Sequence, residues 1–210
     1  MPLCKVTPVG NATSWALWHI DESIDELWHL LNPSAEAQFE YQQIHHQQKK
    51  LEWLASRLVI KYLVQQTGQS FHGIYKDAFG KPHLKKTPLH ISIAHCFPLA
   101  VGAINKLHSI GIDIERPRHK ILRIRDRFLN KTESMEVGND LEKLCKFWTG
   151  KEVLYKIYGR KKLIFKEHME IIQVPGNSDK LDAHINFEGY EASFMIHLKP
   201  FNGHLVAFSE

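Results

Sequence analysis

The chain has 210 residues, 43% of them hydrophobic, and its 27 Lys and Arg against 23 Asp and Glu give a formal charge of +4. That is enough apolar content for one large core or two small, closely packed ones. The mild positive balance favours contact with phosphates or an acidic partner and creates no need for nucleic acid.

No apolar run is long enough to span a bilayer, and the start Met1-Pro2-Leu3-Cys4-Lys5 is too short in apolar residues for a secretory signal. The expected place is therefore the cytoplasm, with no membrane partner. Cys4, Cys96 and Cys145 are odd in number and lack metal-ligand spacing, which argues for reduced, packed thiols over a disulfide framework or a zinc site. The 14 histidines are scattered, with no HxxxH beside an acidic residue, so a histidine-bound transition metal is not expected.

In chain order, residues 13–20 read as a first strand, after which Asp21 and Ser23 offer caps for a helix from Glu22 to Leu31. Asn32-Pro33-Ser34 separates that helix from another helical stretch. From Lys49 to Gln66 the spacing predicts a long helix with Leu51, Leu54, Ala55, Leu58 and Tyr62 as its apolar stripe and Lys50, Arg57 and Lys61 on or near the opposite side. A loop containing Phe79-Gly80-Lys81-Pro82 precedes strands at Leu89–His95 and Leu99–Asn105, and a third strand runs from Ser109 to Glu115. Helices are expected over 119–129 and 139–158, the second capped by Asn139 or Asp140 and closed by Gly159. Strands are expected at Met169–Val174, Ala183–Phe187, Ala192–Leu198 and His204–Ser209. This order repeats strand, helices, strands, which fits an α+β protein of two similar halves, 1–106 and 107–210, without a residue-level repeat.

Two segments carry the chemistry. On a strand, Asp113 and Glu115 point to one face while Ile112 and Ile114 enter the core behind them. In Trp148-Thr149-Gly150-Lys151-Glu152-Val153-Leu154-Tyr155-Lys156, Glu152 and Lys156 stand one helical turn apart. Asp113, Glu115 and Glu152 are hard oxygen donors that suit Mg²⁺, with Mn²⁺ as the natural substitute. A bound pyrophosphate would also need fixed positive charge, for which Lys81, Lys151, Lys156, Arg57 and His95 are available. Each pattern has a plainer reading. The acidic pair can serve salt bridges on an exposed strand, Glu152 and Lys156 can be a solvent-facing pair, Arg57 can lie on a solvated helix face, His95 can be hydrogen-bonded locally, and Lys81 can belong to a simple turn. Trp148 and Tyr155, at helical spacing, read as core and receive no chemistry. No GxSxG elbow, P-loop or GxGxxG turn occurs in a strand-helix setting.

Taken in order, the motifs resemble the 4′-phosphopantetheinyl transferases, in particular the larger single-chain class that modifies synthase carrier proteins. The segments are Glu52-Trp53-Leu54-Ala55-Ser56-Arg57, Phe79-Gly80-Lys81-Pro82, Ile91-Ser92-Ile93-Ala94-His95-Cys96, Gly111-Ile112-Asp113-Ile114-Glu115, Arg127-Phe128-Leu129-Asn130-Lys131-Thr132-Glu133 and the WxxKExxxK pattern at 148–156. They cover roughly residues 49–160, and the ends match only in element type. Cys96 stands where many relatives have a second serine, Ala94 replaces a more polar residue, and Gly150 weakens its helix unless it allows close packing.

The resemblance implies two related α/β halves about a pseudo-twofold axis, with a coenzyme A site in the cleft between them. It implies transfer of 4′-phosphopantetheine from coenzyme A to a serine of an apo acyl or peptidyl carrier protein in fatty acid, polyketide or nonribosomal peptide synthesis, releasing adenosine 3′,5′-bisphosphate. On that resemblance Asp113, Glu115 and Glu152 would hold Mg²⁺, and Glu152 and Lys156 would be catalytic. Lys50, Arg57, Lys81, His95, Lys151 and Lys156 would contact coenzyme A, with Arg57 and His95 at the nucleotide phosphate and Lys81 near the adenosine. A monomer is the expected state. The competing readings are a non-catalytic module binding coenzyme A or a carrier, and a Mg²⁺-dependent pyrophosphate hydrolase.

Overall fold

Helices and antiparallel sheets alternate along an α+β chain, and the contacts gather into two units, Met1–Ser109 and Ile110–Glu210. The computed structural model describes backbone from residue 3 and side chains from residue 7 onward, so Cys4 and the Met1–Lys5 reading lie largely outside the described residues.

In the first unit, strands β1 (Leu3–Val9) and β2 (Thr13–His19) form a hairpin, followed by helices α1 (Ile24–Leu31), α2 (Ala35–Gln42) and α3 (Gln47–Gln66). The caps explain where these begin. Ser23 and Glu26 close a capping box on α1, and Ser34 caps α2 through the amide of Ala37. Lys61 of α3 donates to the carbonyls of Leu30 (2.8 Å) and Leu31 (3.1 Å), satisfying the end of α1. A short hairpin, β3 (Ile74–Lys76) and β4 (Pro82–Leu84), then leads into β5 (His90–Cys96) and β6 (Leu99–Asn105). The sheet order is β1-β2-β6-β5, all antiparallel.

Helix α3 differs from the single-stripe expectation. Every residue from Glu52 to Ile60 is buried, including Arg57, as are Leu63 and Val64. A helix packed this widely reads as weakly amphipathic from sequence, because Trp53, Val59, Ile60 and Val64 fill a second apolar face. Its approach to β6 needs Gly102, where a Cβ would lie 2.7 Å from Val59 Cγ1 and 2.8 Å from Ile60 Cδ1.

The second unit opens with β7 (Ile112–Glu115). The helix expected over 119–129 is instead a 3₁₀ turn at His119–Arg123 and a single-turn α4 (Arg125–Phe128), interrupted at Ile124. Helix α5 (Lys131–Val137), an addition to the expected elements, is built on an Asn130–Glu133 capping box. Helix α6 (Leu141–Tyr158) is capped by Asp140, whose Oδ1 accepts from the amides of Glu142 and Lys143, and it ends at Gly159 with φ 66°. Then follow α7 (Phe165–His168), β8 (Met169–Gln173), β9 (Lys180–Phe187), β10 (Tyr190–Phe201) and β11 (His204–Ser209). These strands form an antiparallel sheet in the order β7-β11-β10-β9-β8.

Leu144, Phe147, Val153, Leu154 and Ile157 of α6 join Ile171, Leu181, Ala183, Ile185, Ile196, Leu198 and Ala207 in the core of this unit. Full burial of each large side chain contributes roughly 1.5–3 kcal/mol relative to exposure. Gly150 permits the close packing: a Cβ there would meet Ile171 Cδ1 at 3.1 Å and Leu181 Cδ1 at 3.2 Å. Among the described residues no helix is long and apolar enough to cross a membrane.

Candidate active site

The site is built on β7 and α6. Strand β7 is paired with β11, Asp113 opposite Ala207 and Glu115 opposite Leu205. Ile112 and Ile114 are fully buried, as two-residue alternation requires of residues sharing the core-facing side of the strand. Just before the strand, a Cβ on Gly111 would collide with the backbone carbonyl oxygen of Val153, so glycine lets the chain press against α6 beside Glu152.

That approach brings three of the expected carboxylates into one electrostatic environment with Lys156. Lys156 Nζ donates to Asp113 Oδ1 at 2.7 Å and to the carbonyl of Ile112 at 2.8 Å. Asp113 Oδ2 is buried and has no hydrogen-bond partner. Burial pushes the Glu152 carboxyl up to about 7, the negative charges of Asp113 and Glu115 push it the same way, and Lys156 pulls it down. Burial and Asp113 also raise Glu115, against the pull of Trp148, Lys156 and Arg118. Among the described residues, however, no three His, Cys, Asp or Glu side chains are gathered tightly enough to hold a metal as they stand. The carboxylates are neighbours in charge, with an ammonium group on one of them. Their hard oxygens and the orphan Asp113 Oδ2 are what a hard divalent cation would require.

Trp148, read from sequence as plain core, has a polar role. Its indole N–H donates to Glu115 Oε1 at 3.0 Å, while its ring stacks on Phe165 and meets Phe128 edge-on. The signal was available, since a largely buried indole N–H normally finds an acceptor.

The structure does not bring Lys151 to this site. It is fully buried, and Nζ is held by Glu133 Oε2 (2.6 Å) and by the carbonyls of Phe128 (2.7 Å), Met169 (2.9 Å) and Phe165 (3.1 Å). Glu133 uses its other oxygen to accept from the amide of Ile171 and is itself 2% exposed. A buried ammonium needs a nearby carboxylate, and Glu133, already present in the Arg127–Glu133 motif, supplies it.

The remaining basic candidates belong to the first unit. Arg57 is neither solvated nor free to swing. It makes two 3.0 Å hydrogen bonds to the Glu40 carboxylate, donates to the carbonyl of Trp53 and lies over the Trp53 ring at 3.6 Å. It also lines a hollow with Asn32, Ser34, Lys61 and His72. Lys50 Nζ sits 5.2 Å from the Tyr41 ring centroid. His95 is exposed at the end of β5, with Nδ1 3.4 Å from the buried carboxylate of Glu52. Glu52 also accepts from Gln48 at 2.8 Å and Lys49 at 2.6 Å. Lys81 donates to the Ser109 hydroxyl, and burial lowers its pKa against the pull of Asp77. Asp77 orders the loop, with Oδ1 accepting from the amides of Phe79 and Lys81 and Oδ2 bound to His83. Glu40, Glu52 and Asp77 are thus the organising carboxylates that sequence reasoning left without a role.

Residues 109–208 match the family model described as the 4′-phosphopantetheinyl transferase superfamily. This stretch belongs to the 4′-phosphopantetheinyl transferase superfamily. The superfamily match contains Asp113, Glu115, Trp148, Glu152 and Lys156, whereas Arg57, Lys81 and His95 precede it. The chain is also similar to a protein named 4′-phosphopantetheinyl transferase gsp from Aneurinibacillus migulanus, with 30% identity over 114 residues. That similarity covers 51% of this chain and 47% of the relative, so the matched part spans about half the length of each protein.

Proposed function

We propose that the protein transfers 4′-phosphopantetheine from coenzyme A to a serine of an apo acyl or peptidyl carrier protein, as in the larger single-chain class. The observation that carries this reading is the grouping of Asp113, Glu115, Glu152 and Lys156 within the superfamily match. In the transfer, the serine oxygen forms a bond to the β-phosphorus of coenzyme A. The bond from that phosphorus to the bridging oxygen breaks, releasing adenosine 3′,5′-bisphosphate.

Asp113, Glu115 and Glu152 would hold Mg²⁺, or Mn²⁺ in its place. When bound, the cation would neutralise charge on the pyrophosphate oxygens and polarise the phosphorus. The chain's own groups supply the rest. Lys156 pairs with Asp113 and is the ammonium that would serve a phosphate oxygen. Glu152 is the carboxylate proposed to take the serine proton, directly or through water. The alternative role is that of a cation ligand alone, because a carboxylate bound to Mg²⁺ is a weaker base than the cation-free group raised to about 7. Little covalent assistance is needed, because phosphoryl-type transfer depends chiefly on alignment and charge. Arg57, Lys50, Lys81 and His95 remain the basic groups proposed for the nucleotide end. Lys151 is withdrawn from that set because its ammonium is enclosed by protein oxygens.

Incubation with coenzyme A, Mg²⁺ and apo carriers of the fatty acid, polyketide and peptide types tests the reading by intact-mass analysis. A carrier gaining one phosphopantetheine group is expected, and Glu152→Gln and Asp113→Ala should each suppress that gain while remaining folded. No gain on any carrier with folded protein overturns the reading. Coenzyme A binding without turnover would indicate a binding module, and coenzyme A cleavage without carrier a hydrolase.

A further inference from the structure

We infer that Trp148 is a positioning residue for Glu115, held in place by a buried Glu133–Lys151 pair acting through Phe128 and Phe165. The inference rests on the proposed cation site and concerns how its strand carboxylate is aimed.

The chain of contacts is continuous. Lys151 Nζ binds the backbone carbonyls of Phe128 and Phe165. The rings of those two residues contact Trp148, with centroids 5.1 Å away at 67° for Phe128 and 5.5 Å away at 24° for Phe165. Trp148 then donates its N–H to Glu115 Oε1. Lys151 and Trp148 share α6, three residues apart, so the helix carries both ends of the device. A flexible carboxylate on β7 is thereby tied to a ring confined by two others. The indole N–H can donate and cannot accept, so it occupies one Glu115 oxygen and fixes the direction of the carboxylate. Outer groups of this kind orient a ligand and raise its affinity for a cation without touching the cation themselves. This also gives Lys151 a purpose compatible with its burial. It locks the backbone from which the confining rings project.

The test measures Mn²⁺ binding by electron paramagnetic resonance of the free ion, with coenzyme A present and no carrier, alongside thermal unfolding. Trp148→Phe keeps an aromatic ring and removes the N–H. It should weaken Mn²⁺ binding about ten-fold, the usual scale for losing such an outer partner, with little change in unfolding temperature. Phe165→Leu loosens the ring stack and leaves the indole in place, so a smaller weakening in the same direction is expected. Parent-like Mn²⁺ affinity in a folded Trp148→Phe protein overturns the inference while leaving the proposed site intact. If Trp148→Phe does not fold, parent-like affinity in Phe165→Leu overturns it instead. Absence of Mn²⁺ binding by the parent overturns the cation site and the inference together.

Discussion

Lys156 Nζ lies 2.7 Å from Asp113 Oδ1, and the second oxygen of Asp113 is buried with no hydrogen-bond partner. The pair is half of an arrangement: one oxygen is neutralised by the chain, and the other is left for something else. Removing the ammonium would strand the whole carboxylate. Lys156→Met is therefore expected to lower stability by about 3 kcal/mol, the low end of the scale for breaking a buried ion pair by removing one partner. Adding Asp113→Asn should restore more than half of that loss. Urea unfolding of both single variants and the double variant closes the cycle, and additive losses would show that the two groups do not act as a pair.

Glu152 gives a pH signature in the absence of divalent cation. Its carboxyl stands at about 7 in the folded protein against 4.5 ordinarily, so the folded state holds this proton more tightly than the unfolded state does. Its contribution is full below the ordinary carboxylate value and is lost as pH rises towards 7. Glu152→Gln lacks that loss. At pH 8 the variant should be more stable than the parent by at most roughly 3.5 kcal/mol, at about 1.4 kcal/mol per unit, with the difference shrinking towards pH 4. Thermal unfolding across pH with a chelator present measures it, and parallel pH curves for the two proteins would contradict it.

Glu52 predicts the opposite slope. Burial pushes its carboxyl up, but hydrogen bonds from Lys49 and Gln48 and the charges of His95 and Lys49 bring the net shift below the ordinary value. Its stabilisation is therefore present above the ordinary carboxylate range and lost as pH falls through the lowered value. Glu52→Gln should be less stable than the parent by about 1–2 kcal/mol at pH 7, the scale of a charge-assisted hydrogen bond, and nearly equal to it in acid. Urea midpoints at pH 7 and pH 3 decide it.

Two glycines separate backbone from side-chain crowding. At Gly111 an added Cβ meets the Val153 carbonyl, which cannot move without shifting α6, so Gly111→Ala should cost about 3 kcal/mol and sharply reduce transfer. At Gly150 the added Cβ meets two methyl groups that can turn aside, and alanine recovers about 1 kcal/mol of helix propensity. Gly150→Ala should thus cost under about 1.5 kcal/mol, the range of tolerated core swaps. Equal losses in the two variants would refute the distinction.

The local alternation of β5, the Asp140 and Gly159 limits of α6 and the shared face of Asp113 and Glu115 were legible because each depends on neighbours in sequence. What escaped depends on distant partners. Arg57 resembled a surface arginine until Glu40 and the Trp53 ring enclosed it. Lys151 resembled a phosphate partner because its four oxygens come from Phe128, Glu133, Phe165 and Met169, none of them in its own helix. The β3–β4 hairpin was too short to alternate visibly, and Lys5, Thr7 and Pro8 disguised β1 as a polar lead-in.

The bond from the Ile171 amide to Glu133 has a bearing on the margin of the second sheet. Strand β8 forms one margin of the five-stranded sheet, and Ile171 is an apolar residue on it. An outward amide on such a margin is a template onto which another chain can add as an extra strand. Glu133 covers that donor, and Lys151 holds the carboxylate in place through its other oxygen. The same ion pair therefore leaves that donor unavailable to an added strand.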